Sequence, residues 1–184
     1  MCGIIGIQNN SEAATLAYMG LYAQQHRGQE GAGVVSSDGT TLHRHMGKGL
    51  VSDVFSNAEV FDTLIGDNAI GHVRYATCGQ EDRSYAQPFE RHHLQKHKWF
   101  SFGFNGQLAN YQALRDRILS DDDHHLTRET DTEIIMHEIS RELSGNQRPA
   151  LIDIMSGVGF LAVLWLGGGE VDGRDYFFVE EAAF

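Results

Sequence analysis

Cys2 stands directly behind the initiator methionine in Met1-Cys2-Gly3-Ile4-Ile5-Gly6-Ile7, so loss of Met1 makes it the first residue. A terminal cysteine holds a thiol and a free α-amine on one residue. The thiolate is the strong nucleophile, and an α-amine, with a reference pKa of about 7.7–8.0, accepts the thiol proton near neutral pH. Nucleophile and base then share one residue, the N-terminal form of the pairing used in acyl transfer. Read without that chemistry, Cys2 is a small apolar residue opening a buried strand, since a free cysteine packs like one.

Four more segments are odd for plain structural elements. His26-Arg27-Gly28-Gln29-Glu30-Gly31-Ala32-Gly33 packs three glycines into a polar stretch, so its backbone must bend tightly or approach something closely. Gly71-His72-Val73-Arg74-Tyr75-Ala76-Thr77 carries a guanidinium near the end of an apolar run. Phe104-Asn105-Gly106-Gln107-Leu108-Ala109-Asn110 contains Asn-Gly, by itself a hairpin-turn signal. Thr130-Asp131-Thr132-Glu133 places an acid where a helix begins, by itself a cap. His72, on a strand, reads as a satisfied core histidine.

The elements that must position these segments follow from patterning. Ile4 to Ile7 predicts a strand, and Ser11 predicts the cap of a helix over about 12–25 with Ala13, Leu16, Gly20 and Ala23 on one face. Val34-Val35 and Thr41 to His45 predict strands around an Asp38-Gly39 turn. Further strands are expected at Ala69 to Tyr75, Trp99 to Phe104, Val158 to Leu166 and Tyr176 to Val179. Helices are expected at about 109–119 and 130–144, the second with Ile134, Ile135, Ile139 and Leu143 inward, and Pro149 predicts a short helix start. Strands interrupted by blocks of helix predict an α+β fold with antiparallel sheets and helices packed outside.

Taken together the five segments resemble the glutaminase domain of the class II, N-terminal-nucleophile glutamine amidotransferases. Within that class, His-Arg-Gly-Gln-Glu-Gly-Ala-Gly, Gly-His-Val-Arg-Tyr and Ala86-Gln87-Pro88-Phe89 are most similar to the amidophosphoribosyltransferases. The glucosamine-phosphate synthases differ after His-Arg-Gly and have Trp at the place of Tyr75. The likeness covers nearly all of the chain to about residue 166. It implies an αββα sandwich, two antiparallel sheets between helical layers.

The resemblance also implies roles. Cys2 would attack the side-chain amide of glutamine, releasing ammonia and leaving a γ-glutamyl thioester for water, with its α-amine as general base and then acid. The Asn105 side chain and the Gly106 N–H would form the oxyanion hole. Arg74 would hold the substrate carboxylate with its planar fork, and Asp131 the α-ammonium. Arg27 would order the closing loop or help the N-terminus, Gly28 and Gly31 would be conformational necessities, and Tyr75, Thr77 and Gln87 would support or line the pocket. Glutamine is the small-molecule partner. No cofactor is implied for this half-reaction; magnesium belongs to the phosphoribosyltransferase domain or subunit that would use the ammonia to make phosphoribosylamine in purine synthesis, a glycosyltransferase step.

Composition narrows the setting. The 184 residues suit one domain, 1–184, and the formal net charge of −11 disfavours a nucleic-acid partner. No apolar run approaches the ~18 residues of a membrane span, and no leader is visible. Two cysteines, Cys2 and Cys78, suit a reducing, cytoplasmic setting, and a bond between them would destroy the nucleophile. His92, His93, His97, His124 and His125 meet no zinc spacing, so no metal site is expected, and Asp121-Asp122-Asp123 reads as a solvated loop. The phosphoribosyltransferase part and the family's Arg-Asp-Pro…Arg-Pro-Leu stretch are absent, which predicts an isolated or truncated glutaminase domain. Gly167-Gly168-Gly169 fits either a hairpin loop or a join, and a homo-oligomer is compatible with the chain. The alternatives are the glutaminase half of an amidotransferase with another acceptor, or a non-catalytic glutamine-binding domain, which an uncleaved Met1 would produce.

Overall fold

Side chains alternate across a strand, and strands apolar at both parities have two faces to bury. The computed structural model describes residues 1–75, 86–94, 98–120, 126, 130–144, 157–165 and 176–179, with side chains of 142–144, 157–165 and 176–179 left aside. In chain order the elements are β1 (Gly3–Ile7), α1 (Ala13–Ala23), a 3-10 turn (Gln25–Arg27), β2 (Gly31–Ser37), β3 (Leu42–Lys48), α2 (Val51–Val54) and α3 (Glu59–Thr63). Then come β4 (Asn68–Arg74), β5 (Phe89–Arg91), β6 (Phe100–Leu108), α4 (Tyr111–Leu119), α5 (Asp131–Ser144), β7 (Gly157–Trp165) and β8 (Tyr176–Val179). One sheet runs β1-β4-β2-β3 with antiparallel pairing throughout; the other runs β5-β6-β7-β8. The α+β expectation with two sheets holds.

The chain divides into two compact units, Met1–Asn105 with Leu161–Phe178, and Gly106–Phe160 with Val179–Phe184. In the first unit, Ala13, Ala14, Ala17 and Leu21 of α1 pack with Val51 and Phe55 against Ala32, Val34, Ala69 and Val73 on one face of the first sheet. The opposite face buries Val35 and Ile70 with Leu42, Ile4 and Trp99. The odd and even positions of β2 and β4 thus serve different cores.

Several local expectations need correction. Ser11 does not cap α1; the Asn10 side chain accepts the Glu12 N–H at 2.8 Å, and its carbonyl takes Ala13 N–H at 3.0 Å. The buried face of α1 follows 13, 17 and 21, with Ala23 exposed, because that row meets the sheet. The glycine-rich stretch is mostly ordered: its start is the 3-10 turn and its end is β2, leaving Gly28 to Glu30 as the loop. The β2–β3 turn is as expected, with Asp38 Oδ1 accepting Thr40 and Thr41 N–H at 2.8 Å each. The short helices α2 and α3 carry no sequence signal, since one turn offers no periodicity to read. The Pro149 start, Gly167 to Gly169, Asp121 to Asp123, His97, His124 and His125 lie outside the described residues.

In the second unit, Leu114 and Ile118 of α4 and Ile134, Ile135 and Ile139 of α5 are buried. Glu138, 1 % exposed, shares this layer and is met by Arg117 and Arg141, each at 2.6 Å. Both arginines are about half exposed, so they rehydrate if released, and the energy at stake is that of two charge-assisted contacts to a desolvated carboxylate. Glu138→Gln is expected to lower the unfolding free energy by about 2 kcal/mol, read as a drop in urea midpoint at constant slope. An unchanged midpoint would assign those contacts no net stability.

Candidate active site around Cys2

Cys2 precedes β1, and its carbonyl is held from two directions. Arg27 Nε, from the 3-10 turn, donates to it at 3.1 Å, and Asn105 Nδ2, from β6, donates at 3.0 Å. The Cys2 thiol is free and lies against the Tyr75 main chain. Tyr75 N–H donates to Sγ at 3.4 Å, and the thiol points back to Tyr75 O at 3.8 Å. Tyr75 therefore meets Cys2 through its main chain, and the residue as a whole is 52 % exposed.

Arg74 ends β4 and is buried. The register Gly3↔Val73, continued by one residue, sets Cys2 opposite Arg74, while Gly31 is its partner in β2. The Gly28 loop lies on the Arg74 backbone: a Cβ at Gly28 would come within 2.5 Å of Arg74 C and O. Gly28 has φ −167°, extended backbone open to any residue, so its requirement is close approach rather than conformational freedom. Gln25 ties this loop down, donating to Gly28 O at 2.5 Å and accepting Val51 N–H at 2.6 Å. Nothing in its spacing marks Gln25 in the sequence.

Asn105-Gly106 is not a hairpin turn: β6 runs through it to Leu108. Asn105 is half-buried and Gly106 exposed. In the second unit Asp131 opens α5 and its Oδ2 accepts Leu108 N–H at 3.1 Å. Capping falls to Thr130, whose Oγ1 accepts Glu133 N–H at 3.3 Å. Burial pushes the Asp131 carboxyl above its ordinary value, against the pull of the Leu108 hydrogen bond. Thr77 and Cys78 lie outside the described residues. Among the described residues no three His, Cys, Asp or Glu gather into a metal-holding group, and no helix is long and apolar enough to cross a membrane. His92 instead stacks on Trp99 at 4.3 Å.

His72 is fully buried, with Nε2 3.3 Å from Phe104 O. Burial pushes its pKa down to about 4 from 6.5, opposed by the Phe104 hydrogen bond and aided by the Arg74 charge. The unfolded chain takes up this proton near pH 6.5, the folded chain only near 4. Stability linked to neutral His72 is therefore intact above pH 6.5 and lost as pH falls through that window. Between pH 7.5 and 5 the unfolding free energy should fall by about 2 kcal/mol more in the unsubstituted chain than in His72→Gln. Equal falls in a denaturation series would show that His72 is not the group responsible.

A glutamine amidotransferase domain model matches residues 58–158, more than half of the chain. The amidophosphoribosyltransferase of Lacticaseibacillus casei is 37% identical over 164 residues, covering 87% of this chain and 83% of the relative. The chain belongs to the class II glutamine amidotransferase family. A chloroplastic amidophosphoribosyltransferase of Glycine max is 38% identical over 156 residues, 84% of this chain but 26% of the relative. The solved glutamine phosphoribosylpyrophosphate amidotransferase of B. subtilis, complexed with ADP and GMP, superposes with a TM-score of 0.75 at 33% identity, covering 90% of this chain and 35% of that one. The family's N-terminal-nucleophile fold is the one expected from the sequence. This amidotransferase chain spans about a quarter of the length of its plant relatives.

Proposed function

We propose that this chain hydrolyses the side-chain amide of glutamine, with Cys2 as nucleophile once Met1 has been removed. The thiolate adds to the amide carbon, the amide nitrogen departs as ammonia, and water cleaves the resulting γ-glutamyl thioester to glutamate. The freed α-amine of Cys2 takes the thiol proton and passes it to the leaving nitrogen. The observation that carries this reading is the pair of donors on the Cys2 carbonyl, Arg27 Nε and Asn105 Nδ2. They hold the residue that bears both nucleophile and base, and one of them is the carboxamide needed beside the oxyanion. A carboxamide has two N–H donors, so Asn105 can hold Cys2 with one and face the developing negative charge with the other. The Gly106 N–H is the second donor in this reading.

Arg74, desolvated at the end of β4, is assigned to the substrate carboxylate. Asp131 is assigned to the α-ammonium, a cation that stabilises a carboxylate whose burial disfavours its charge. Arg27 is a positioning residue for Cys2, and Tyr75 and Thr77 are assigned by the resemblance to substrate binding. The name of the B. subtilis relative supports phosphoribosyl pyrophosphate as the ammonia acceptor; in this reading a phosphoribosyltransferase domain or subunit with its own magnesium would use it. The unit proposed here is the glutaminase domain, acting in purine synthesis in the cytoplasm.

Incubation with diazo-oxo-norleucine, a glutamine-like electrophile, tests the reading. Mass spectrometry should find a single adduct on Cys2 with Met1 absent. Folded protein that binds glutamine but leaves Cys2 unmodified would overturn it.

A further inference from the structure

Phe104, the residue before Asn105, has both of its main-chain groups held by buried side chains. Its N–H donates to Gln87 Oε1 at 2.7 Å, and its carbonyl accepts from His72 Nε2 at 3.3 Å. The β5–β6 register pairs Phe89 with Phe102. Continued by two residues it sets Gln87 opposite Phe104. The strand begins only at Phe89, so the β5 ladder bonds stop short of Phe104. Two side chains replace them, His72 from β4 and Gln87 from the approach to β5.

The surroundings are shaped for this contact. His72 is fully buried and Gln87 9 % exposed. A carbonyl only accepts, so the proton of neutral His72 sits on Nε2, and Nδ1 has no partner among the described residues. Gly33 is the β2 partner of His72, and a Cβ there would collide with the Gln87 carbonyl.

We propose that His72 and Gln87 are positioning residues for Asn105, clamping the Phe104 main chain so that the Asn105 carboxamide reaches the Cys2 residue. The inference rests on the role given to Asn105 above. Both side chains act one peptide away from Asn105, where a displacement of about 1 Å is enough to cost on the order of 100-fold in rate.

The test uses the full chain with Gln87→Met and His72→Leu, which remove the acceptor and the donor, and His72→Gln, which restores a distal N–H. In the first two, kcat for glutamine hydrolysis should fall about 10- to 100-fold with KM within about twofold. Alkylation of Cys2 by iodoacetamide, which forms no oxyanion, should keep its rate. His72→Gln should recover most of the loss. The Asn105 carboxamide resonances of 15N-labelled protein should move in the first two variants and return in the third. Folded Gln87→Met protein with unmoved Asn105 resonances overturns the clamp, whatever its activity. If His72→Leu does not fold, Gln87→Met decides alone. If the unsubstituted chain releases no ammonia, the glutaminase reading fails, and the resonances still decide the clamp.

Discussion

Cys2→Ser is expected to bring glutamine hydrolysis to background, a loss on the order of 10⁴-fold or more, as removal of a covalent nucleophile does elsewhere. Serine keeps the size of the side chain and the α-amine, so the change isolates the sulfur. A hydroxyl is the weaker nucleophile because so little of it ionises at neutral pH. Folding should be unaffected, since the thiol's contacts are the weak ones to Tyr75 N and O at 3.4 and 3.8 Å. Cys78→Ser serves as the control and should keep most of the activity. Ammonia release by each variant, with intact masses to establish the loss of Met1, gives the answer. Retention of more than a tenth of the activity in Cys2→Ser would assign the chemistry to another group.

Asn105→Ala should lower kcat by about 10²–10³-fold, the range found when one oxyanion donor is removed. KM should change little, because the donor acts on charge that appears only as the thiolate adds. The same carboxamide also holds the Cys2 carbonyl at 3.0 Å, so the variant removes two things at once. Iodoacetamide separates them: its reaction with Cys2 needs no oxyanion stabilisation, and a retained rate means that Arg27, at 3.1 Å, still holds the residue. A loss of alkylation in step with kcat would make Asn105 a scaffold for Cys2 rather than a donor to the transition state.

Much of the fold is legible along the chain. The strand at Ile4 to Ile7, the Asp38-Gly39 hairpin and α5 all follow from alternation, turn chemistry or helical spacing. Where reading fails, a nonlocal contact outweighs a local preference. Asn-Gly favours a turn by itself, yet β6 continues through Asn105-Gly106 to Leu108. The face of α1 shifts because the sheet offers its groove to Ala13, Ala17 and Leu21, and the apolar Leu16 and Gly20 fit the same stretch of sequence almost as well. Asp131 has the look of a cap, but its carboxylate reaches back to Leu108 while Thr130 caps the helix.

The candidate site divides the same way. Residue type and local spacing determined which groups could attack, donate or hold a charge: a thiol beside a removable methionine, a carboxamide before glycine, and a guanidinium at a strand end. Those capacities belong to the side chains and survive in any fold. Only the tertiary structure decided that Asn105, 103 positions away, donates to Cys2, and that Gln87 takes the Phe104 N–H. Such distances depend on how strands pack and which one stops first, and no short window of sequence encodes them. The chemistry of Cys2 is local; the contacts that Arg27 and Asn105 make with it come from packing within the first unit.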